Sequence, residues 1–293
     1  MNLSNIETFL AVVKFMNFSK AADFLFVSQS TVTVRIKNLE DELNVQLFSR
    51  DGKSISLTPV GERFFEHAAK IKKLLAATEQ DIAMYNRYRS CLSVCAPDSV
   101  WQYTLSDYVN RFMASHPDYA MKLKCGHSEF VIQDLLIGLA DVGVVFQRVH
   151  DDEIEAIEFF RSKFNLVAKK GLVPQGTLIN PQNIRNYHPM MIEWGRDFNM
   201  WYNRYYKTQM HCYDIDGVSL FVTMLLNGRG IGFLPDRISG EYIRSGQLVS
   251  LNFEHQESIP TDIAYIIYLR KNLPKVKDFI EMLGMSLQPD NAL

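Results

Sequence analysis

Hydrophobic positions divide the chain into three stretches that differ in their spacing. As far as about residue 58 they recur at helical intervals of three and four, as in Ile6, Phe9, Leu10 and Val13. From residue 59 to about residue 89 they follow a stricter repeat of 3.5 residues. From about Cys91 onward, short apolar runs alternate with helical patterns. The pattern therefore predicts a small helical domain, a long helix and a larger domain of strands and helices.

The first stretch predicts two short helices, a third element and a hairpin, in that order. Ser4 and Glu7 have the spacing of a capping box and predict a helix start at Ser4. Ser19 predicts a second helix start ahead of "KAADFLF". Farther on, "VQLFSRDGKSISL" predicts two short strands joined by a glycine-containing turn at residues 50–53.

The second stretch predicts a linker helix that pairs with another chain. Thr58 is a suitable cap, and Pro59 stands at the first helical position, where its missing N–H costs nothing. The residues with the coiled-coil spacing are Phe64, Ala68, Ile71, Leu75, Thr78, Ile82 and Tyr85. The alternative is a single long helix that lies on a globular domain. A lone apolar stripe in water favours the first interpretation, a homodimer through this helix.

The third stretch predicts an α/β domain made of two similar units. Strand-like runs such as "LSVCA", "AMKLKC" and "DVGVVF" alternate with helical segments, and the alternation restarts after Arg161. A last strand, "DIAYIIYL", and a helix from Pro274 to about Leu283 end the pattern. Such alternation is typical of largely parallel sheets covered by helices on both faces. A cleft between the two units is then the expected site of a small ligand.

The segment "VSQSTVTVRIKNLEDEL" fits two templates, because its centre alternates like a strand. Strand periodicity fits Val32, Val34 and Ile36 and then fails at Asn38. Helical steps of four, three and four fit Val32, Ile36, Leu39 and Leu43 and reach the end of the segment. The longer match predicts a helix that begins near Ser28. Its run of β-branched residues costs a few tenths of a kcal/mol per residue.

The outward side of this helix has the chemistry of a DNA-reading surface. Glutamine can pair with adenine, hydroxyls with either partner, and methyl groups with the thymine methyl. The predicted DNA-contacting residues are Ser28, Gln29, Ser30, Thr31, Thr33, Val34, Arg35, Lys37, Arg50 and Lys53. The last two belong to the hairpin tip. A generic polar helix face remains an alternative on these residues alone, but helix, turn, helix and hairpin together predict a winged helix-turn-helix.

Charge and composition limit the other classes of function. The chain has a net charge of -2, and residues 1–58 hold six basic and six acidic side chains, so a single copy of this segment should bind DNA weakly. The four cysteines lack the spacing of a zinc site, and neither a metal nor a cofactor is expected. Since no signal peptide or membrane span is evident, a cytoplasmic protein with reduced thiols is expected.

The block from Phe9 to Phe64 resembles the LysR-type transcriptional regulators. The shared pieces are S-x-A-A, V-S-Q, I-K-x-L-E-x-x-L, L-F-x-R and L-T-P-x-G, in that order, and "VSLFVTMLLNGRGIGFLP" fits the family's effector domain. The resemblance implies an N-terminal all-α winged helix-turn-helix (1–58), a linker helix (59–89) and an effector domain (90–293). This last domain would resemble a type 2 periplasmic binding protein, with α/β subdomain I at 90–161 and 268–293 and subdomain II at 162–267.

The family resemblance also implies partners. They are double-stranded promoter DNA, a second copy through the linker helix, further pairing into a homotetramer, and a small effector that alters DNA bending. RNA polymerase is a candidate further partner. Two residues depart from the family pattern: Ser30 stands where proline is common, and Val34 where a polar or basic residue is common, with Arg35 one position later. We therefore expect a DNA-site preference that differs from that of the relatives.

The effector positions implied by the family lie on loops that face a cleft. On this sequence they are Pro97, Asp98, Ser99, Val100, Trp101, Gly126, His127, Ser128, Phe146, Gln147, Gly195, Arg196, Asp197 and Phe198. Helix N-termini together with Arg196 favour a small carboxylate or other anion. Asp98 argues the other way, since a carboxylate prefers an amine. Ser99 and Ser128 are equally compatible with simple helix caps.

Enzymatic functions find little support in the motifs. "GRGIG" at residues 228–232 follows a helix and precedes a strand, the reverse of a dinucleotide-binding loop, so a helix end and tight turn are predicted. "GHSEF" lacks the G-x-S-x-G pattern of a nucleophile elbow. The two rival functions are an α/β enzyme with an appended helical domain, and a ligand-binding module whose N-terminal domain serves protein assembly.

Overall fold

The computed structural model describes residues 1–51, 54–85, 87–206, 213–254 and 258–284. These residues form two units, Met1–Arg87 and Tyr88–Leu293, and each unit is described by itself below. Within the described ranges, no helix combines the length and the hydropathy needed to span a membrane.

The first unit contains four helices and a hairpin among its described residues. In chain order the elements are α1 Leu3–Phe15, α2 Phe18–Leu25, α3 Gln29–Leu43, β1 Phe48–Asp51, β2 Ser54–Leu57 and α4 Pro59–Tyr85. Strands β1 and β2 pair antiparallel. This arrangement confirms the winged helix-turn-helix that the sequence predicted.

The segment that was ambiguous between strand and helix is helix α3. Val32, Ile36 and Leu39 are fully buried on its inner side, as the helical spacing requires. Ser28 caps the helix, because its side chain accepts a hydrogen bond from the Thr31 N–H. Burial of the inner side chains outweighs the small propensity cost of the β-branched run.

The predicted caps of the first two helices are wrong by two residues each. Asn2, not Ser4, caps α1 and accepts from the Ser4 N–H. Asn17, not Ser19, caps α2 and accepts from the Lys20 N–H. Asparagine caps a helix as well as serine does, and each asparagine stands where the backbone is still extended.

Glu40 connects helix α3 to the hairpin. It is buried, and its Oε1 accepts hydrogen bonds from the backbone N–H groups of Leu47 and Phe48 at 2.7 and 3.2 Å. The negative charge near the end of α3 is therefore compensated by two backbone donors at the start of β1. This contact fixes the distance between α3 and the hairpin.

The two halves of helix α4 differ in the burial of their apolar stripe. In its first half, Phe64, Ala68 and Ile71 pack against the core of the first unit. In its second half, Ile82 is 61% exposed. Thr58 caps the helix as predicted, since its Oγ1 accepts from the Gly61 N–H at 3.0 Å.

The second unit alternates strands and helices. In chain order the first half has β3 Ser90–Ala96, α5 Asp98–Val100, a π-helical turn Trp101–Leu105, α6 Ser106–Ser115, β4 Tyr119–Cys125, α7 Ser128–Leu136, β5 Val142–Val145 and β6 Ile154–Ser162. There follow β7 Phe164–Lys169, β8 Leu178–Ile179, β9 Met190–Ile192, α8 Arg196–Tyr206, β10 Tyr213–Ile215, α9 Val218–Leu226 and β11 Ile231–Pro235. The last elements are α10 Asp236–Arg244, β12 Leu248–Ser250, β13 Asn252–Phe253, β14 Asp262–Leu269 and α11 Leu273–Met282.

Two groups of strands define two subdomains. Subdomain I is built on a five-stranded sheet in the order β4-β3-β5-β14-β6, with α5, α6, α7 and α11. Subdomain II holds the sheet β11-β7-β12, the pairs β9-β10 and β8-β13, and α8 to α10. Strand β14 lies in subdomain I from Asp262 onward, whereas the sequence suggested a boundary at about 267. The predicted turn after α9 is confirmed, since Gly228 has φ +69° and β11 follows.

The expectation of largely parallel sheets is wrong for several strands, including those where the chain passes from one subdomain to the other. Strand β14 pairs antiparallel with both β5 and β6, and β7 pairs antiparallel with β11 and β12. The chain leaves subdomain I through β6 directly into β7 and returns through β14. Because the outgoing β6 and the returning β14 run in opposite directions, the pair that they form is antiparallel.

Candidate functional sites

The outer face of helix α3 exposes a mixed polar and apolar set of side chains. Gln29, Ser30, Val34 and Lys37 are exposed, and Val34 is 55% accessible. Thr31 and Thr33 are half-buried at its edge. An exposed isopropyl group among amide, hydroxyl and ammonium groups offers contacts both to base edges and to thymine methyl groups.

Hydrogen bonds hold the first turn of α3 in one arrangement. The Ser28 hydroxyl lies 2.8 Å from the hydroxyls of both Ser30 and Thr31. Thr33 Oγ1 donates to the Gln29 carbonyl at 3.0 Å. These local bonds leave fewer rotamers to be ordered when the helix binds a partner.

The Gln29 side chain is oriented by the neighbouring helix. Ser19 Oγ on α2 donates to Gln29 Oε1 at 3.0 Å. This bond orients the Gln29 amide before any base is contacted. A planar amide with one oxygen and one N–H group toward a base matches the edge of adenine.

The basic residues predicted for phosphate contacts are placed differently from one another. Lys37 is exposed on α3. Arg35 is half-buried, and its Nη1 lies 3.4 Å from Thr8 Oγ1 on α1, so it faces the domain interior rather than the outer face. The backbone of Arg50 lies in β1, but its side chain and the whole of Lys53 lie outside the described residues.

The turn between α2 and α3 contains a fully exposed aromatic residue. Phe26 has φ +55° in the left-handed region and is 96% exposed. Glycine or asparagine is the usual residue at such a helix end, because a Cβ is strained there.

In the second unit, a pocket of about 290 Å³ lies between the two subdomains. Its lining residues are Ser99, Val100, Tyr103, Thr104, Phe146, Phe160, Ser162, Trp194, Pro235, Arg237, Ile238 and Asp262. Trp194, Pro235, Arg237 and Ile238 belong to subdomain II, and the others to subdomain I. This volume includes space that is open to solvent.

Two buried polar side chains, those of Ser162 and Asp262, line the pocket. Ser162 is 1% exposed, and its Oγ has no hydrogen-bond partner among the described residues. Asp262 is 9% exposed, and burial, together with the nearby Asp236, raises the pKa of its carboxyl group to about 7. Arg237 lies with its guanidinium 4.1 Å from the centre of the Phe160 ring. The pocket thus combines aromatic walls with a carboxyl and a hydroxyl group.

Side chains from the two subdomains also meet directly across the cleft. Ser219 Oγ on α9 donates to Gln102 Oε1 at 2.8 Å. The hydroxyls of Tyr103 and Tyr242 are 3.4 Å apart, and burial with this contact raises the pKa of Tyr103. These contacts hold the mouth of the pocket in its present width.

Three of the residues predicted for the effector, Ser99, Val100 and Phe146, line the pocket. Trp101 is buried in the core, where its Nε1 donates to the Lys124 carbonyl, and Phe198 packs against Phe164. Ser128 Oγ accepts from the Phe146 N–H at 3.0 Å. The remaining predicted positions do not line it: Pro97, Asp98, Gly126, His127, Gln147, Gly195, Arg196 and Asp197.

Sequence reasoning missed most of the polar residues of the pocket. Ser162 and Asp262 face each other as a cross-strand pair although they are 100 positions apart in the chain. Arg237 lies in the first turn of a helix, α10, that no capping or periodic signal had indicated.

Cysteine chemistry and metal binding find no support at these sites. Cys95 and Cys125 are free thiols, and burial raises the pKa of Cys95 to about 11, so it is protonated at neutral pH. Cys212 lies outside the described residues. Within the described ranges, no group of three or more histidine, cysteine or acidic residues has the arrangement of a metal site.

Comparison with known proteins identifies the family. The model "Bacterial regulatory helix-turn-helix protein, lysR family" matches residues 3–62. The model "LysR substrate binding domain" matches residues 86–288, more than half of the chain. The chain belongs to the LysR family. As a LysR-type regulator it is a DNA-binding transcriptional regulator with an effector-binding domain, not an enzyme.

One curated relative and two solved structures are similar to this chain over most of its length. The HTH-type transcriptional regulator CitR of Bacillus subtilis (strain 168) is 25% identical over 301 residues, covering 97% of this chain and 99% of that protein. The crystal structure of CbnR, a LysR family transcriptional regulator, has a TM-score of 0.71 at 19% identity, covering 99% of this chain and 100% of CbnR. Full-length CbnR in a complex with its target DNA also has a TM-score of 0.71 at 19% identity, with 97% and 99% covered.

Proposed function

We propose that this LysR-type regulator reads its promoter site through helix α3, and that a small molecule in the cleft pocket changes that binding. The observation that carries the DNA part is the Gln29 amide, which Ser19 orients on the exposed face of a capped helix. Val34 supplies an apolar contact and Lys37 a phosphate contact beside it. Arg35 positions α3 through Thr8 instead of touching DNA.

The protein acts as a dimer held by the second half of α4, with two dimers forming a tetramer. The exposed Ile82 and the zero net charge of residues 1–58 support this, because a single copy offers little electrostatic attraction to phosphates. Two half-sites then add their contacts. We also propose a contact with RNA polymerase. In vitro transcription with the purified polymerase tests this contact.

The effector site is the pocket between the subdomains. Its lining supports this role, because residues of both subdomains would touch one ligand and respond to it together. The anion that Arg196 suggested gains no support, since Arg196 does not line the pocket and a buried carboxyl group does.

The test is an electrophoretic mobility shift assay on the upstream region of the protein's own gene. Gln29→Ala and Thr33→Ala should each weaken specific binding by about 5- to 150-fold, the value of a good base contact, while non-specific binding stays unchanged. The matched control is Gln182→Ala, an exposed glutamine of the second unit. Equal affinity of Gln29→Ala and the unchanged protein would contradict this assignment. An assembly module would show no DNA phenotype with either variant.

A further inference from the structure

We propose that the cleft pocket takes a compact amine, whose protonated nitrogen binds Asp262 and Ser162 while an aromatic or apolar body lies between Phe146, Phe160 and Trp194. The proposal names the ligand class of the pocket and rests on the proposed function of that pocket as the effector site. It replaces the carboxylate that helix N-termini alone had suggested.

The polar end of the pocket is built by two neighbouring strands. Asp262 on β14 pairs with Ser162 on β6, so their side chains lie next to each other on one face of the sheet. Both residues are at least nine-tenths buried, and both line the pocket. The Ser162 Oγ has no hydrogen-bond partner among the residues that the structure describes.

Buried polar groups without partners are costly, and a ligand that supplies donors removes the cost. A carboxylate accepts only, and a hydroxyl can accept as well as donate. An ammonium group has three donors and a charge opposite to that of Asp262. A carboxylate ligand in the same place would be repelled by Asp262 or would require it to stay protonated.

The cation that Asp262 lacks is not supplied by the protein within the described part of the chain. Arg237, the basic residue of the lining, lies over the Phe160 ring and forms no ion pair with Asp262 there. Asp236, the other charged group close to Asp262, is itself acidic. The local balance of charge therefore favours a ligand that brings a positive charge.

The remaining walls fit an apolar body of about one ring. The rings of Phe146 and Phe160 are 6.3 Å apart and inclined at 71°, and Trp194 faces them from subdomain II. With a volume of about 290 Å³, the pocket is too small for a large cofactor. Aromatic faces also favour a cation at close range.

A ligand at this position would connect the two subdomains. Ser162 ends β6 just before the chain crosses into β7, and Asp262 begins β14 where the chain returns. Trp194 and Arg237 would touch the same ligand from the other side. Occupation of the pocket is therefore coupled to the width of the cleft, the quantity that differs between open and closed forms of a two-lobed domain.

The test compares benzylamine, benzyl alcohol and benzoate, which share one ring, by isothermal titration calorimetry on the full chain at pH 8. Benzylamine should bind at least about tenfold tighter than benzoate, a difference of about 1.4 kcal/mol. Asp262→Asn should weaken benzylamine at least about tenfold, and Ser162→Ala about threefold. The matched control Asp107→Asn, which removes an exposed carboxylate that does not line the pocket, should change it less than about threefold.

Three results would overturn the proposal: benzoate binding tighter than benzylamine, benzylamine binding unaffected by Asp262→Asn, or no benzylamine binding up to ~10 mM. Fluorescence melting of each variant shows that it is folded. The mobility shift assay without ligand keeps the two proposals apart. If amine binding depends on Asp262 but no DNA is bound, this inference stands and the proposed function is contradicted. If DNA is bound but amine binding does not depend on Asp262, the proposed function stands and this inference is contradicted.

Discussion

The buried Asp262 should make the free energy of unfolding depend on pH. Burial and the nearby Asp236 raise the pKa of its carboxyl group from the ordinary 3.8 to about 7. Below pH 3.8 the group is protonated in the folded and the unfolded chain alike. Between pH 3.8 and about 7 only the unfolded chain ionises, so the free energy of unfolding falls as pH rises through this window.

Above about pH 7 the carboxyl group ionises in the folded protein too, and the free energy of unfolding stays lowered by the full amount. The difference between the two pKa values corresponds to about 4 kcal/mol at about 1.4 kcal/mol per pH unit. Asp262→Asn removes the charge at nearly the same volume. The variant should therefore match the unchanged protein near pH 4 and exceed its stability at pH 8 by about 1 to 4 kcal/mol, the lower value allowing for an amide without partners.

Urea unfolding followed by tryptophan fluorescence at pH 5, 6, 7 and 8 measures this difference. All three tryptophans, Trp101, Trp194 and Trp201, lie in the second unit, so the signal reports the domain that holds Asp262. Substitution of the exposed Asp107 by asparagine is the control and should leave the pH trend unchanged. An Asp262→Asn variant that is less stable at pH 8, or a difference that does not vary with pH, would refute the reasoning.

Three further changes test the first unit. Glu40→Ala leaves the N–H groups of Leu47 and Phe48 without their acceptor and should lower thermal stability by about 2 to 4 kcal/mol by circular dichroism, whereas Glu40→Gln keeps an acceptor and should lose less than half of that. Equal losses would show that the bonds contribute little. Phe26→Asn relieves a left-handed backbone without loss of buried surface, and should raise stability by about 0.5 to 1 kcal/mol; a decrease would mean that the phenyl ring is buried in solution. Ile82→Asp should weaken dimerisation at least about tenfold in sedimentation equilibrium, and an unchanged dimer would place the interface elsewhere.

Local sequence patterns predicted the first unit well because its contacts are close in sequence. The spacing of Val32, Ile36 and Leu39 was enough to choose a helix over a strand, since one buried face runs through the whole of α3. Caps were less certain. Asn2 and Asn17 compete with serines two residues later, and only the backbone conformation decides which side chain caps the helix.

The pocket could be predicted only in part, because it is assembled from distant segments. Ser99, Val100 and Phe146 follow strands β3 and β5, whose ends were recognisable, and their loops do line the cleft. Ser162 and Asp262 meet through an antiparallel pairing that no local pattern encodes. Strand β6, which carries Ser162, was not predicted, since its sequence lacks a clear alternation of apolar and polar residues.

The central claim is that α3 reads DNA. Its most direct test is footprinting on the upstream region of the protein's own gene at several salt concentrations. We expect a partly palindromic protected site whose affinity falls steeply as salt rises, since each phosphate contact releases counterions. We also expect Gln29→Ala to raise the protein concentration needed for protection by about 5- to 150-fold while the protein stays oligomeric. No protected site at low salt, or the same protection with Gln29→Ala, would contradict the account.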